Sequence, residues 1–256
     1  MAFHRQEMKS LVQHMLRKCG YHLSKIRPEL YNEDGLSTSH GHDFVDDPRF
    51  SDAYNYAFDA TRADPSHHGP WRVHIATWAA STALRRQGDF VECGTARAFV
   101  STAILKYTDW NSKSEGRCFY LIDTFEGIVD ALQTDAERAM GAIERHGERY
   151  KANYADAFRN VSPFRNVHLI KGIVPHVLAD VGVERVAYLH LDMNSAVAEV
   201  AALEYFWPKM VPGGVVLLDD YAYAGYEPQR EAHNSLAKRL GIEIAGLPTG
   251  QGLIIK

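Results

Sequence analysis

No stretch of the sequence is apolar for the length a membrane span needs, no run of Lys or Arg marks a surface for nucleic acid or lipid, and only three cysteines occur in 256 residues. Cys19, Cys93 and Cys118 are widely spaced and odd in number, which excludes a disulfide framework and a cysteine zinc motif and points to a reducing compartment. With 28 Lys+Arg against 32 Asp+Glu, the formal charge of -4 argues against polyanionic partners. The N-terminal stretch sets Met8, Leu11, Val12, Met15, Leu16 and Cys19 at helical spacing and ends in Arg17-Lys18, so it reads as an amphipathic helix and not as a signal peptide; a cytoplasmic location is expected. The three-glycine fingerprint of nicotinamide-binding folds is missing as well.

What is present is a chain 46% hydrophobic, long enough to bury a core without disulfide or structural metal. Residues 1–70 read as a helical appendage, acting as a lid or a dimer element, and residues 71–256 as the main domain. The apolar stripe of the first helix needs a cover, so a homo-oligomer is expected. His40, His42, Asp43, Asp46, Asp47, His67 and His68 lie in the appendage without metal-site spacing and read as solvated loop residues.

A largely buried helix is predicted from Trp71 to Leu84. Short apolar runs follow at Asp89–Cys93, Cys118–Ile122, Val167–Ile170, Val186–Leu191 and Val215–Leu218, each separated by enough chain for a helical crossover, as a parallel sheet requires. Ile242–Ala245 and Leu253–Lys256 are joined by a turn too short for a crossover, so the last two strands are expected to pair antiparallel. The helix Glu199–Trp207 reads as a core face stopped by Pro208, and the polar segment 130–160 as a lid or a plain connector.

Candidate chemistry gathers where strands end. Glu92-Cys93-Gly94-Thr95 occupies the turn from the first core strand into a helix, where backbone N–H groups meet ligands; an acidic residue there suits a ligand with a positive amino-acid head group. Asp123 ends the neighbouring strand, positioned to accept ribose hydroxyls, and Phe125 is either an adenine platform or a core residue. Thr95, Ser101, Thr124, Gly172 and Ile173 complete the candidate cofactor set. Asp192 ends the fourth strand and Asp219-Asp220 the fifth. Three converging carboxylates raise one another's pKa unless a cation, a basic side chain or water compensates, and an oxygen-only cluster favours Mg²⁺.

These segments resemble the macrocin O-methyltransferase family, metal-dependent sugar methyltransferases: Gly88-Asp89-Phe90-Val91-Glu92-Cys93-Gly94, Asp123-Thr124-Phe125-Glu126-Gly127, Leu189-His190-Leu191-Asp192, and Pro212-Gly213-Gly214 followed by Asp219-Asp220-Tyr221. The resemblance runs from about Gly88 to the C-terminus. It implies an α/β, Rossmann-like class I methyltransferase fold, a mostly parallel seven-stranded sheet with an antiparallel C-terminal hairpin, with S-adenosylmethionine as methyl donor. It further implies Mg²⁺ held by Asp192, Asp219 and Asp220, a cofactor held by Glu92, Gly94 and Asp123, and a hydroxylated small-molecule acceptor such as a sugar.

One position departs from the family. The usual Asp-Gly-Asp after the fourth strand is Asp192-Met193-Asn194, and the asparagine cannot take the proton that the family assigns to the second aspartate. Asp192, Asn194 and His190 are the candidate catalytic residues, with His190 and His233 as stand-in bases or structural histidines. The rivals are a cofactor-binding protein that lost turnover with its base, a nicotinamide-dependent oxidoreductase, and an interaction module built on the N-terminal helix.

Overall fold

Strand alternation sets the architecture, and the computed structural model describes it for residues 2–21, 31–65, 68–141 and 153–256. Along the chain come helix α1 (Ala2–Lys18), strands β1 (Tyr31–Glu33) and β2 (Leu36–Thr38), helices α2 (Pro48–Thr61) and α3 (Pro70–Ala83), strand β3 (Asp89–Cys93), and helices α4 (Phe99–Tyr107) and α5 (Trp110–Lys113). They are followed by β4 (Phe119–Asp123), α6 (Asp135–Ala139), α7 (Tyr154–Val161), β5 (Val167–Lys171), β6 (Val186–Leu191), α8 (Ala196–Phe206), β7 (Met210–Leu218), α9 (Glu227–Leu240), β8 (Ala245–Gly246) and β9 (Gly252–Ile255).

Seven strands form one sheet in the order β5-β4-β3-β6-β7-β9-β8. The first five are parallel to one another, and β9 pairs antiparallel with both β7 and β8. This is the sheet the sequence pattern leads one to expect. All six residues of β6 are buried, both faces of a central parallel strand being covered, and its run is apolar but for His190, which pairs with Glu92 and Asp219. On one face Val91, Cys93, Leu189, Leu191, Val216 and Leu218 pack with Leu203 and Phe206 of α8 and Leu236 of α9. On the other, Phe90, Phe119, Leu121, Tyr188, Val215 and Leu217 pack with Ala76 and Ala80 of α3 and Leu105 of α4.

The chain reverses its winding between β3 and β6, so the carboxyl ends of these two strands flank the crevice where ligands bind in open α/β sheets. The period of two does the rest. Phe90 and Glu92, Tyr188 and His190, and Val215 and Leu217 share the α3 face, and in register Glu92 sits opposite His190 and His190 opposite Leu217.

One local expectation is corrected. The strand expected at Ile242–Ala245 is reduced to Ala245–Gly246, because Gly241 ends α9 in the left-handed conformation and the Ile242 N–H turns back to Ala237 O at 3.0 Å. Ile242 and Ile244 pack their side chains on the core instead of extending the ladder. Ahead of α2 the chain forms β1, β2 and a short 3-10 turn at Asp43–Asp46, and Asp47 caps α2, accepting from Arg49 N at 2.8 Å.

Contacts divide the chain into two compact units, Met1–Asn32 with Ser37–Gly41, and Glu33–Leu36 with His42–Lys256. The boundary expected at residue 70 therefore falls inside the second unit. There α2 packs on α4, with Phe50, Tyr54 and Ala57 buried against Val73 and Ala103. In the first unit, α1 exposes Leu11, Val12 and Met15; Met8 lies among residues whose side chains are not described. Among the described residues no helix is long and apolar enough to cross a membrane.

Candidate active site

A cleft of about 890 Å³ opens at the carboxyl ends of β3, β4, β6 and β7. Its lining includes Glu92, Gly94, Thr95, Asp123, Thr124, Gly172 and Ile173, the acids Asp192, Asp219 and Asp220 with Asn194, and Asp34, Arg62, His68, Arg72, Tyr223 and Tyr226. The candidate cofactor residues Ser101 and Phe125 stay out of this lining. Ser101 is fully buried in α4 and donates its hydroxyl to Glu92 Oε2, while Phe125 packs edge-on against Tyr154 with ring centroids 5.1 Å apart.

At the β3 end, Gly94 has φ +88°, and a Cβ there would lie 1.8 Å from Asp192 O. The glycine is thus demanded by the backbone of the β6 end, which also bonds directly to its neighbour: Asp192 N donates to Cys93 O at 2.9 Å. Asp123 accepts the N–H groups of Thr95 and Ala96 on Oδ2, both at 2.7 Å, and that of Phe125 on Oδ1 at 2.6 Å. A carboxylate has roughly four lone-pair sites, so these bonds hold the loop and leave Asp123 limited capacity for a ligand hydroxyl. Thr95 Oγ1 and Asn194 Oδ1 are buried without a hydrogen-bond partner, and both residues line the cleft. Polar atoms left in this way on a cleft wall mark where a ligand's own polar groups fit.

Four carboxylates (Glu92, Asp192, Asp219 and Asp220), the His190 imidazole and the Arg72 guanidinium gather at the carboxyl ends of β3, β6 and β7. His190 is fully buried, with Nδ1 3.4 Å from Glu92 Oε1 and Nε2 3.5 Å from Asp219 Oδ1. Burial alone would lower its pKa, but the contacts with Asp219 and Glu92 outweigh it and raise the pKa to about 10. A protonated imidazole has no lone pair to offer, and His190 does not line the cleft. The structural reading of His190 therefore replaces its role as a base. His233 is likewise enclosed, with Nε2 3.0 Å from Glu199 Oε2.

Asp219 Oδ1 accepts from Gln251 Nε2 at 2.9 Å, and its Oδ2 accepts from Arg72 Nη2. The same Arg72 nitrogen donates to Asp220 Oδ1 at 2.8 Å and to Asp219 O at 2.9 Å. Burial would raise the Asp219 pKa, yet Arg72 and His190 hold it well below the usual carboxylate range. Asp220 goes the other way, pushed up to about 6 by burial against the pull of Arg72. Asp192 is raised well above its ordinary value by burial and by Asp219 and Asp220. Ligand atoms of His190, Asp192 and Asp219 lie within 4.8 Å of one another, and this is the metal-capable cluster found among the described residues. Its carboxylate oxygens suit a hard divalent cation. The His190 nitrogens face their ion-pair partners Glu92 and Asp219, so within this cluster the oxygen donors are the carboxylates of Asp192 and Asp219.

Sequence reading missed three contributors: Arg72, Gln251 and Glu199. Glu199 is buried in the first turn of α8; its Oε1 accepts from Met193 N at 3.0 Å, Asn194 N at 3.2 Å and Gln229 Nε2 at 2.9 Å, fixing the loop after β6. From the segment read as a lid or a plain connector, Gln133 Nε2 donates to Asn194 O at 3.0 Å and Glu137 Oε1 accepts from Ala196 N at 2.7 Å, so its start is tied to the same loop. Residues 142–152 of that segment, and His67 of the appendage, lie outside the described residues. His68 is at the cleft edge, 3.8 Å from Glu33 Oε2.

Comparison with known proteins agrees with this geometry. The sequence model of the macrocin-O-methyltransferase family matches residues 71–243. A curated relative, the 8-demethyl-8-(2,3-dimethoxy-alpha-L-rhamnosyl)-tetracenomycin-C 4'-O-methyltransferase of Streptomyces olivaceus, is 28% identical over 167 residues, a match that spans 60% of each chain. Among solved structures, the O-methyltransferase NovP superposes with a TM-score of 0.65 at 20% identity, covering 77% of this chain and 85% of its own. The calicheamicin methyltransferase CalS11 gives 0.54 at 14% identity, covering 86% and 99%. These likenesses at low identity establish the fold, that of the class I O-methyltransferases.

Proposed function

Because the chain belongs to the macrocin-O-methyltransferase family, we propose that it is an S-adenosylmethionine-dependent, Mg²⁺-dependent O-methyltransferase acting on a hydroxyl of a sugar or another polyhydroxylated small molecule. The observation that carries this reading is the direct abutment of two loops in one cleft. The Glu92–Thr95 turn, on the cofactor side, touches the Asp192 backbone, on the acid-cluster side. The curated relative is named for methylating a rhamnosyl sugar, which supports a sugar acceptor. A cytoplasmic location agrees with the three free cysteines.

In this reading Asp123 and the Thr95 hydroxyl receive the nucleoside, and Glu92 lies beneath the amino-acid end. S-adenosylmethionine, when bound, supplies a methyl group on an electrophilic sulfonium. Asp192, Asp219 and Asp220 would hold Mg²⁺, which makes a nearby hydroxyl more acidic. His190, in contact with Asp219, keeps that carboxylate ionised and turned toward the cleft; it is a positioning residue. Asn194 Oδ1 accepts a hydrogen bond from an acceptor hydroxyl and orients it, without removing its proton.

Calorimetric titration with S-adenosylhomocysteine, with and without Mg²⁺, tests the cofactor half. Binding with a dissociation constant on the order of micromolar is expected, weakened at least about tenfold by Asp123→Ala, since a hydrogen bond to a charged group contributes about 1.5–3 kcal/mol. No binding in either condition would overturn the methyltransferase reading.

A further inference from the structure

Arg72 stands in the first turn of α3, the helix that packs across β6 and β7, and reaches the acid cluster from 147 residues away in sequence. Its side chain is only 17% exposed, so its pairing with Asp219 and Asp220 is largely shielded from solvent. The Asp219 carboxylate has one oxygen committed elsewhere, since Oδ1 accepts from Gln251 and faces His190. A divalent ion binding Asp219 would meet the oxygen Arg72 already holds, and two cations on one carboxylate oxygen repel strongly where water is scarce.

A second berth lies beside the first. Arg72 Nη1 is 3.7 Å from Asp34 Oδ2, and its guanidinium carbon is 5.1 Å from the centroid of the Tyr223 ring. Tyr223 OH in turn donates to Asp34 Oδ1 at 3.2 Å. A shift of the guanidinium toward Asp34 would free the Asp219 and Asp220 oxygens while keeping Arg72 paired and over an aromatic face.

Resting on the metal reading given above, we infer that Arg72 is the resident cation of the acid cluster, which a divalent ion displaces toward Asp34 and Tyr223. Cation binding then carries the cost of that displacement, and the apparent affinity is reduced by the fraction of molecules in which Arg72 holds the site. Asp34 and Tyr223 both line the cleft, so cation binding would also rearrange its wall at these two residues.

Calorimetric titration of the full chain with Mn²⁺, on the wild type and on Arg72→Met, Asp34→Asn and the double variant, tests this. Arg72→Met is expected to bind Mn²⁺ at least about tenfold tighter than wild type. Asp34→Asn is expected to bind several-fold more weakly, and that loss should vanish in the Arg72→Met background, whereas plain long-range attraction by Asp34 would persist there. Equal or weaker binding by Arg72→Met, or an Asp34→Asn effect that survives without Arg72, would overturn the inference. Should Arg72→Met fail to fold, unchanged affinity in Asp34→Asn would overturn it equally. Absence of Mn²⁺ binding in every form would overturn the metal reading, and the inference with it.

Discussion

The Glu199 carboxylate accepts the backbone N–H of Asn194 at 3.2 Å, so a helix residue five positions onward holds the loop after β6 in its left-handed turn, with φ 55° at Asn194. The same carboxylate also carries the Met193 amide, Gln229 and His233. Replacing it with glutamine leaves donors facing donors in a dry site. Glu199→Gln is expected to cost about 3 kcal/mol, lowering the thermal midpoint by roughly 6–12 °C in differential scanning calorimetry.

His190 gives the metal-free protein an alkaline limb. Its folded pKa of about 10 stands above the ordinary 6.5, so its pairing contributes fully below about pH 6.5 and is lost as pH rises through about 10. Urea unfolding of metal-free protein between pH 6 and 10 should show stability falling with pH. His190→Gln should flatten that limb and lower stability at pH 6; an unchanged slope would mean that the imidazole is neutral in the fold.

Gly94→Ala is expected to be severely destabilising even without ligand. The added methyl group would lie 1.8 Å from Asp192 O at a φ of +88°. Forced backbone movement of this kind costs at least about 3 kcal/mol, visible as a shift of the urea midpoint at unchanged slope. A variant as stable as wild type but unable to bind S-adenosylhomocysteine would show that the glycine serves the ligand and not the fold.

Asn194→Asp is expected to fold, because aspartate tolerates the left-handed conformation as asparagine does. It restores a proton acceptor on the cleft wall. With an acceptor in hand and Mg²⁺ present, turnover should rise about tenfold or more and acquire a new acidic limb in its pH profile. Turnover appearing only in the variant would identify the wild-type protein as a cofactor binder that has lost its base.

The core strands were legible because a strand covered on both faces is mostly apolar, and β6, buried at every position, carries one polar exception in His190. Asp192, Asp219 and Asp220 were legible because carboxylates at strand ends need a counter-charge. The sequence states that demand but not what meets it. Arg72 lies in a helix whose other residues read as core, and only the packing of α3 across β7 brings it to Asp219. Glu199 was hidden for a related reason: a glutamate in a first helical turn is ordinary, and nothing local says that this one points inward to Met193, Asn194 and His233. The C-terminal hairpin was shortened for a local cause, the left-handed Gly241, which favours a helix cap over a longer strand.

The seam between Gly94 and Asp192 leaves no slack between the ends of β3 and β6, which under the proposed function would lie beneath the methyl donor and face the acceptor. A substitution that shifts one backbone carries the other with it, so the reacting centres are set by the scaffold and not by any single loop. Under the proposed function, a change of acceptor would then be sought at Arg62, His68, Tyr223 and Tyr226, which line the cleft without serving that seam. The transfer distance is inherited, while the guest is negotiable.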